Sequence, residues 1–353
     1  MVSLNNHMKI FITGATGYVG SQLANRLAEQ GEEINILVRD VHSANIPKGK
    51  NINVFKGDIT HPESIVTAIK GCTQVYHCAA VAKFSLADRN ALFDINVNGT
   101  KNILQASLTA NIQKLVFTSS AAVFGPSLTI PLTENDSRLE PFESDYDISK
   151  HLAENLVREF ISKGLNALIV NPSRVYGPGP DTYSNAVNRM IQKFLNKKML
   201  LFPKIGKYTT NYCYINDVVN GHIMAMQKGR AGENYILGGE NVSYDKLLNL
   251  IIQYAATKNY ILKVPVPLAK IFASLSRFVN KSTELSPSLI TRFAKHRMLN
   301  SEKAIKDLGY RITSFDDGIK TTIDYLKDNS IKTKTIQTKF YEYGKDQISA
   351  RTH

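Results

Sequence analysis

Tyr146 and Lys150 stand four residues apart in the run Tyr146-Asp147-Ile148-Ser149-Lys150, which continues as His151-Leu152-Ala153-Glu154-Asn155-Leu156-Val157 in a helical pattern. Residues four apart on a helix share a face, so the Lys150 ammonium can lie beside the Tyr146 phenol and make its phenolate easier to form. A phenol with an ordinary pKa of about 10 is a poor base near neutrality, and a cation beside it makes it a usable proton donor and acceptor. The same spacing recurs at Tyr254…Lys258, inside an amphipathic helical pattern where core packing explains it better, and at Tyr341…Lys345, in a polar tail. Context separates the first copy. It follows Ser120, which closes the apolar run Lys114-Leu115-Val116-Phe117-Thr118-Ser119, and it precedes the buried-strand pattern Ala167-Leu168-Ile169-Val170. A serine hydroxyl at a strand end can hydrogen-bond an oxygen as negative charge develops on it.

These groups need a scaffold, and its anchor is Lys9-Ile10-Phe11-Ile12-Thr13-Gly14-Ala15-Thr16-Gly17-Tyr18-Val19-Gly20. An apolar strand runs into three glycines, and helix formers follow from Ser21 to Glu29 with Leu23 and Leu27 four apart. Backbone N–H groups at the positive end of such a helix face a diphosphate, and glycines allow an approach that a Cβ would block. A dinucleotide is the natural ligand, although the spacing is Gly-x-x-Gly-x-x-Gly and a plain loop is the alternative. A second strand, Ile34-Asn35-Ile36-Leu37-Val38, ends at Arg39, where an acidic residue would bind a ribose 2′-hydroxyl and an Arg suits a 2′-phosphate. NADP(H) is therefore expected over NAD(H), with a surface Arg at a strand end as the plainer alternative. Asp58, in Gly57-Asp58-Ile59, is placed to accept from an adenine amino group, and Ala79 and Ala80 after Val75-Tyr76-His77-Cys78 leave room for a cofactor across the strand ends. A helix with Leu92, Ile95, Ile103 and Leu104 follows, carrying Asn96 and Gly99. Alternating strands and helices of this kind predict an α/β fold, a parallel sheet covered on both faces with ligands at the carboxyl ends of its strands.

Composition narrows the partners. The 353 residues are 43% hydrophobic and 21% charged, ordinary for a globular chain. There is no run of eighteen apolar residues, and Met1–Met8 has no apolar h-region, so neither a transmembrane helix nor a signal peptide is expected. Three cysteines without zinc-like spacing suggest a reducing cytoplasm, and no metal site is expected. The net charge of +13 favours anions of any kind, but it is spread, and without Trp or a basic run interleaved with aromatics a solvated basic surface is expected and a nucleic-acid groove is not.

Taken with Asn96-Val97-Asn98-Gly99-Thr100, Thr118-Ser119-Ser120 and Asn171-Pro172-Ser173-Arg174-Val175-Tyr176-Gly177-Pro178-Gly179, these motifs resemble, in order and spacing, the extended short-chain dehydrogenase/reductase superfamily over residues 8–328. The resemblance implies a Rossmann-type doubly wound parallel sheet in 8–176 and 208–242. It also implies a smaller, discontinuous C-terminal substrate domain in 177–207 and 243–328, and leaves 329–353 as a polar, mobile tail. It implies a catalytic triad of Ser120, Tyr146 and Lys150. Cofactor contacts are implied at Gly14, Thr16, Gly17, Tyr18, Val19 and Gly20, at Arg39, Asp58 and Ile59, at Ala79, Ala80 and Asn96, at Tyr146 and Lys150, and at Pro172, Ser173 and Val175. A homodimer through a helix bundle is what the family would suggest.

Ala121-Ala122 stand where sugar-nucleotide dehydratases of that superfamily carry Asp-Glu, which removes the acid and base that water elimination needs. Arg174 replaces an Asn usual in sugar-nucleotide epimerases, and Thr210–Val218 lacks their Arg-Asp-Phe. Val38-Arg39-Asp40, Gly238-Gly239-Glu240-Asn241 and His296–Ala304 resemble instead dihydroflavonol-reductase-like and 3β-hydroxysteroid-dehydrogenase-like members, which act on ketones and secondary alcohols of lipophilic molecules. Hydride transfer to such a small-molecule substrate is expected. An NAD-dependent sugar-nucleotide epimerase and a non-catalytic dinucleotide-sensing protein are the alternatives. In the substrate domain, Leu268, Ile271, Phe272, Leu275 and Phe278 recur at helical spacing between Pro265 and Val279, with Lys270 and Arg277 elsewhere on the helix. Core packing is the ordinary expectation for that face; a lid or a contact with anionic membrane are the others.

Overall fold

The computed structural model describes residues 8–82, 89–279 and 286–329. Seven parallel strands form the central sheet in the order Asn234–Leu237, Ala167–Pro172, Lys114–Thr118, Gln74–His77, Lys9–Thr13, Glu33–Val38 and Ile52–Lys56. Chain order reverses between Lys9–Thr13 and Gln74–His77, and the crevice at the carboxyl ends of that pair is where such sheets take ligands. The inner strands are apolar along their length because both faces are covered. Successive side chains point to opposite faces, so Ile10 and Ile12 join a core with Leu23, Leu27 and Val219, while Phe11 joins another with Ile65, Ile103 and Val157.

The remaining sheets are small. Glu240–Ser243, Thr209–Tyr214 and Arg174–Tyr176 form one, and Met199–Pro203 pairs with Tyr260–Val264 in another. Their core gathers Tyr176, Ile191, Phe194, Tyr212, Ile251 and Phe315. Helix Val266–Val279 lies beside Met199–Pro203 and corrects one expectation. Its inward residues are the small Ala269 and Ala273, packed on Ile290, whereas Leu268, Ile271, Phe272 and Leu275 face outward. Helical periodicity marks an apolar stripe but not the side on which a neighbour lies, and here the alanines allow the closer approach. The tail from 330 onward, with Tyr341 and Lys345, lies outside the described residues.

Candidate active site

The glycine turn is built by close approach. Gly14 has φ +75°, and a Cβ there would lie 2.6 Å from the Ala79 nitrogen and 2.7 Å from the Cys78 carbonyl carbon. A Cβ on Gly20 would lie 2.3 Å from the Gly14 carbonyl oxygen, so the helix Tyr18–Glu29 packs directly on the turn. Gly17 caps this helix and supplies no side-chain acceptor, which leaves first-turn N–H groups for an anion. A cradle that a Cβ would fill, at the positive end of a twelve-residue helix, fits a dinucleotide diphosphate. Thr16 is half-buried at the turn, but Tyr18 is buried and donates its hydroxyl to the Gly177 carbonyl at 2.7 Å, and Val19 packs into the core.

Beneath the turn runs a chain of uncharged groups. Thr13 Oγ1 pairs with His77 Nδ1 at 2.7 Å, His77 Nε2 pairs with Thr100 Oγ1 at 2.9 Å, and Thr100 donates to the Asn96 carbonyl at 2.8 Å. Burial, followed by the charge of Lys150, pushes His77 down to about 3, so this imidazole is neutral and takes no part in acid–base chemistry near neutrality. Asn96 itself is turned inward. Its amide brackets the Val81 backbone, accepting from the nitrogen at 2.8 Å and donating to the carbonyl at 3.1 Å, and donates to Ser149 Oγ at 2.9 Å. It shapes the segment after Ala79 and Ala80 instead of offering a free amide to a cofactor.

Toward the adenosine end, Asp58 Oδ1 accepts from the backbone nitrogen and hydroxyl of Thr60, both at 2.9 Å, and Ile59 is buried in the core. Arg39 is exposed and shares an open depression with Lys56, Asp58, His61, Glu63 and Ser64. Lys56 is a second cation there that the sequence reading did not single out. Pro172 closes its strand in the interior, Val175 packs against the core, and the Ser173 nitrogen donates to the Leu237 carbonyl at 3.3 Å.

Ser120, Tyr146 and Lys150 come together at the strand ends. Ser120 follows strand Lys114–Thr118 and caps a short turn, its Oγ accepting from the Ala122 nitrogen at 3.2 Å. Tyr146 occupies the first turn of helix Asp145–Ser162, which Ser144 caps by accepting from the Asp147 nitrogen at 3.2 Å. Burial raises the Tyr146 phenol above its ordinary range, the adjoining Asp147 carboxylate adds to this, and a hydrogen bond with Ser120 and the Arg292 charge oppose it. One turn on, Lys150 is only 1% exposed. Its Nζ donates to the Thr118 carbonyl at 2.8 Å and lies 4.2 Å from the Phe117 ring centre. Burial lowers Lys150 to about 8, against the upward pull of Glu154. The Tyr254…Lys258 pair does not form such a site: Tyr254 donates to Asp316 and packs against the core of the small sheets.

Several residues the sequence reading passed over support this centre. Glu154, one turn beyond Lys150 and 3% exposed, accepts from Asn171 Nδ2 at 2.7 Å, and the same nitrogen donates to the Ser120 carbonyl at 3.3 Å. Recurrence at 146, 150 and 154 was the available signal for Glu154. Asp147 is fully buried and takes both guanidinium nitrogens of Arg292, at 2.6 and 3.0 Å. Arg292 also reaches Glu143 at 3.1 Å; Arg297 and Lys295 pair with Glu143, and Lys295 with Glu140. This network fastens the start of the Tyr146 helix to the segment after Pro287. Arg174 donates to the Tyr244 hydroxyl at 2.6 Å and lies 4.7 Å from the Phe293 ring centre.

Residues 10–238 match the model of the NAD dependent epimerase/dehydratase family. The chain is similar to the sterol demethylase protein B of Methylococcus capsulatus, with 30% identity over 300 residues that cover 84% of this chain and 89% of that one. It is also similar to the 4-hydroxy-2-methyl-3-oxo-4-farnesyl-3,4-dihydroquinoline-1-oxide ketoreductase of Stigmatella aurantiaca, with 26% identity over 86% of this chain and 92% of that one. Among solved structures, the UDP-glucose 4-epimerase of Thermotoga maritima with UDP-glucose shares the fold, with a TM-score of 0.76 and 21% identity over 91% of this chain and 99% of that one.

Proposed function

The chain belongs to the NAD dependent epimerase/dehydratase family, and from that premise we propose that it transfers a hydride between NADP(H) and a ketone or secondary alcohol of a lipophilic substrate. The observation that carries this is the convergence of Ser120, Tyr146 and the buried Lys150 at the carboxyl ends of the strands beside the glycine turn. Bound nicotinamide supplies or accepts the hydride, and the chain's residues hold the substrate oxygen and manage its proton. In reduction, Tyr146 gives its phenolic proton to the carbonyl oxygen as negative charge builds there. The Ser120 hydroxyl hydrogen-bonds the same oxygen, a contribution commonly worth about 3 kcal/mol in the transition state. The phenolate left behind is stabilised by the Arg292 charge. Lys150 stands one turn along the same helix with its ammonium on the Thr118 carbonyl, and Asn171 ties Glu154 to the Ser120 carbonyl.

Two features support the finer assignment. Arg39 and Lys56 at one rim suit a 2′-phosphate. Relatives named for a sterol and for a farnesylated ketone favour lipophilic carbonyl chemistry, and Ala121-Ala122 lack the acid and base of a dehydratase. The test is to denature the purified protein and quantify released nicotinamide nucleotide. An empty protein that binds NADPH more tightly than NADH is expected. Near-stoichiometric NAD would overturn the proposal in favour of an epimerase that regenerates its cofactor in place. Arg39→Asp is expected to weaken NADPH by about tenfold or more while leaving NADH nearly unchanged; equal losses would remove Arg39 from cofactor selection.

A further inference from the structure

Helix Val266–Val279 carries Leu268, Ile271, Phe272 and Leu275 at one-face spacing, and all four are exposed, Phe272 and Leu275 each at 57%. The helix lies beside strand Met199–Pro203, which pairs in parallel with Tyr260–Val264. On the outward face of that ribbon Met199 stands opposite Tyr260 and Leu201 opposite Leu262, and these four are exposed as well. Eight large apolar side chains thus crowd two adjoining elements, whereas exposed apolar residues on a monomeric protein are usually scattered. Among the described residues nothing in the packing requires them, because the helix is seated through Ala269 and Ala273 and the ribbon through Leu200, Phe202 and Ile261.

The charge of the same segments names the occupant. Between Asp181 and Asp217 there is no acidic residue but six cations, Arg189, Lys193, Lys197, Lys198, Lys204 and Lys207. Between Asp245 and Glu284 there is again none, with six more at Lys246, Lys258, Lys263, Lys270, Arg277 and Lys281. Lys197, Lys198, Lys204 and Lys258 are exposed. Lys263 and Lys246 are paired with Asp245 and Glu240, but bulky apolar side chains beside the exposed Lys197, Lys198, Lys204 and Lys258 match an anionic bilayer surface, whose headgroups attract cations while apolar groups enter the acyl boundary. No helix among the described residues is long and apolar enough to cross a membrane, so the contact is superficial. We propose that the face formed by helix Val266–Val279 and the ribbon Met199–Pro203/Tyr260–Val264 docks the protein on anionic phospholipid membranes.

The inference is independent of the reaction and is tested without it. The full-length protein is co-sedimented with vesicles of phosphatidylcholine alone and of phosphatidylcholine mixed with phosphatidylglycerol. Binding is expected only to the mixed vesicles and is expected to fall as salt is raised. The double variant Phe272→Ser, Leu275→Ser should lose about tenfold or more of its vesicle partition, since two large apolar side chains no longer leave water. Lys197→Gln, Lys198→Gln should lose several-fold, and both variants should melt like the parent. Absence of binding by the parent protein would overturn the proposal, as would undiminished binding by the serine variant. A parent dimer that the serine variant converts to monomer would also overturn it, by assigning the face to a second copy of this chain.

Discussion

Lys150 and Phe272 are both large side chains on long helices, and each sits against the preference of its type. Lys150 is a cation at 1% exposure, and Phe272 is an aromatic at 57%. The first placement is met by local structure: the Thr118 carbonyl takes the ammonium, the Phe117 ring covers it, and Glu154 holds part of its proton affinity. The second has no counterpart among the described residues, where the helix it occupies is already seated through two alanines. A buried charge shows what the fold has built around it, whereas an exposed aromatic points to something beyond the fold. One region of the molecule is therefore organised for internal chemistry and the other for an encounter.

Removing groups from each region should separate these roles. Tyr146→Phe deletes the proposed proton donor while keeping its ring, and turnover should fall about 10³-fold with NADPH affinity and melting temperature retained; steady-state kinetics beside a binding titration measure this. Arg292→Ala leaves Asp147 buried without its bidentate partner and should lower stability by about 3–5 kcal/mol, read from denaturant unfolding. Loss of the Arg292 charge should also raise the Tyr146 phenol further, since that charge now opposes its elevation. Glu154→Gln is a milder cut. Lys150 titrates at about 8, so its ammonium is present below that pH and lost above it, and reduction should decline on the alkaline side. Glu154 raises that value, so its removal should move the alkaline limb to lower pH, with turnover at neutrality down by roughly tenfold. The smallest effect is expected on the outward helix face, where Leu275→Ser should change unfolding free energy by no more than about 0.5 kcal/mol. A large loss there would mean that the face packs against something within the chain.

Much of the scaffold was legible because its signals are local. Ile10–Ile12, Leu115–Phe117 and Ala167–Val170 are apolar in consecutive positions, as strands covered on both faces must be, and Gly14 and Gly17 marked the turn, although the helix starts at Tyr18 and takes in Gly20. Ser120, Tyr146 and Lys150 could be joined because the family resemblance implies them as a triad, with the strand-end position of Ser120 and the helix start at Tyr146 as local support. The side chains around them were not readable in the same way. Asp147 and Arg292 are 145 positions apart, and nothing in either neighbourhood predicts the pair. Asn96 had the composition of a ligand contact, yet its amide is taken by Val81 and Ser149, a choice made by three-dimensional proximity. The helix after Pro265 had its periodicity read and its orientation missed, because alanines and leucines are both apolar and only the neighbour decides which turns inward.

His77 and His222 lie at 0% exposure, one bridging Thr13 to Thr100 and the other bonded to Thr118, and burial holds them down to about 3 and about 4. In an unfolded chain both rings would take a proton near pH 6.5. Between those limits the unfolded state binds protons that the folded state refuses, so stability declines as the medium acidifies below about 6.5, by roughly 1.4 kcal/mol per pH unit for each ring. The decline continues until the folded rings protonate. Two buried, neutral imidazoles thus make the fold progressively less stable in acid, an effect that an unfolding titration between about pH 7 and pH 5 would read.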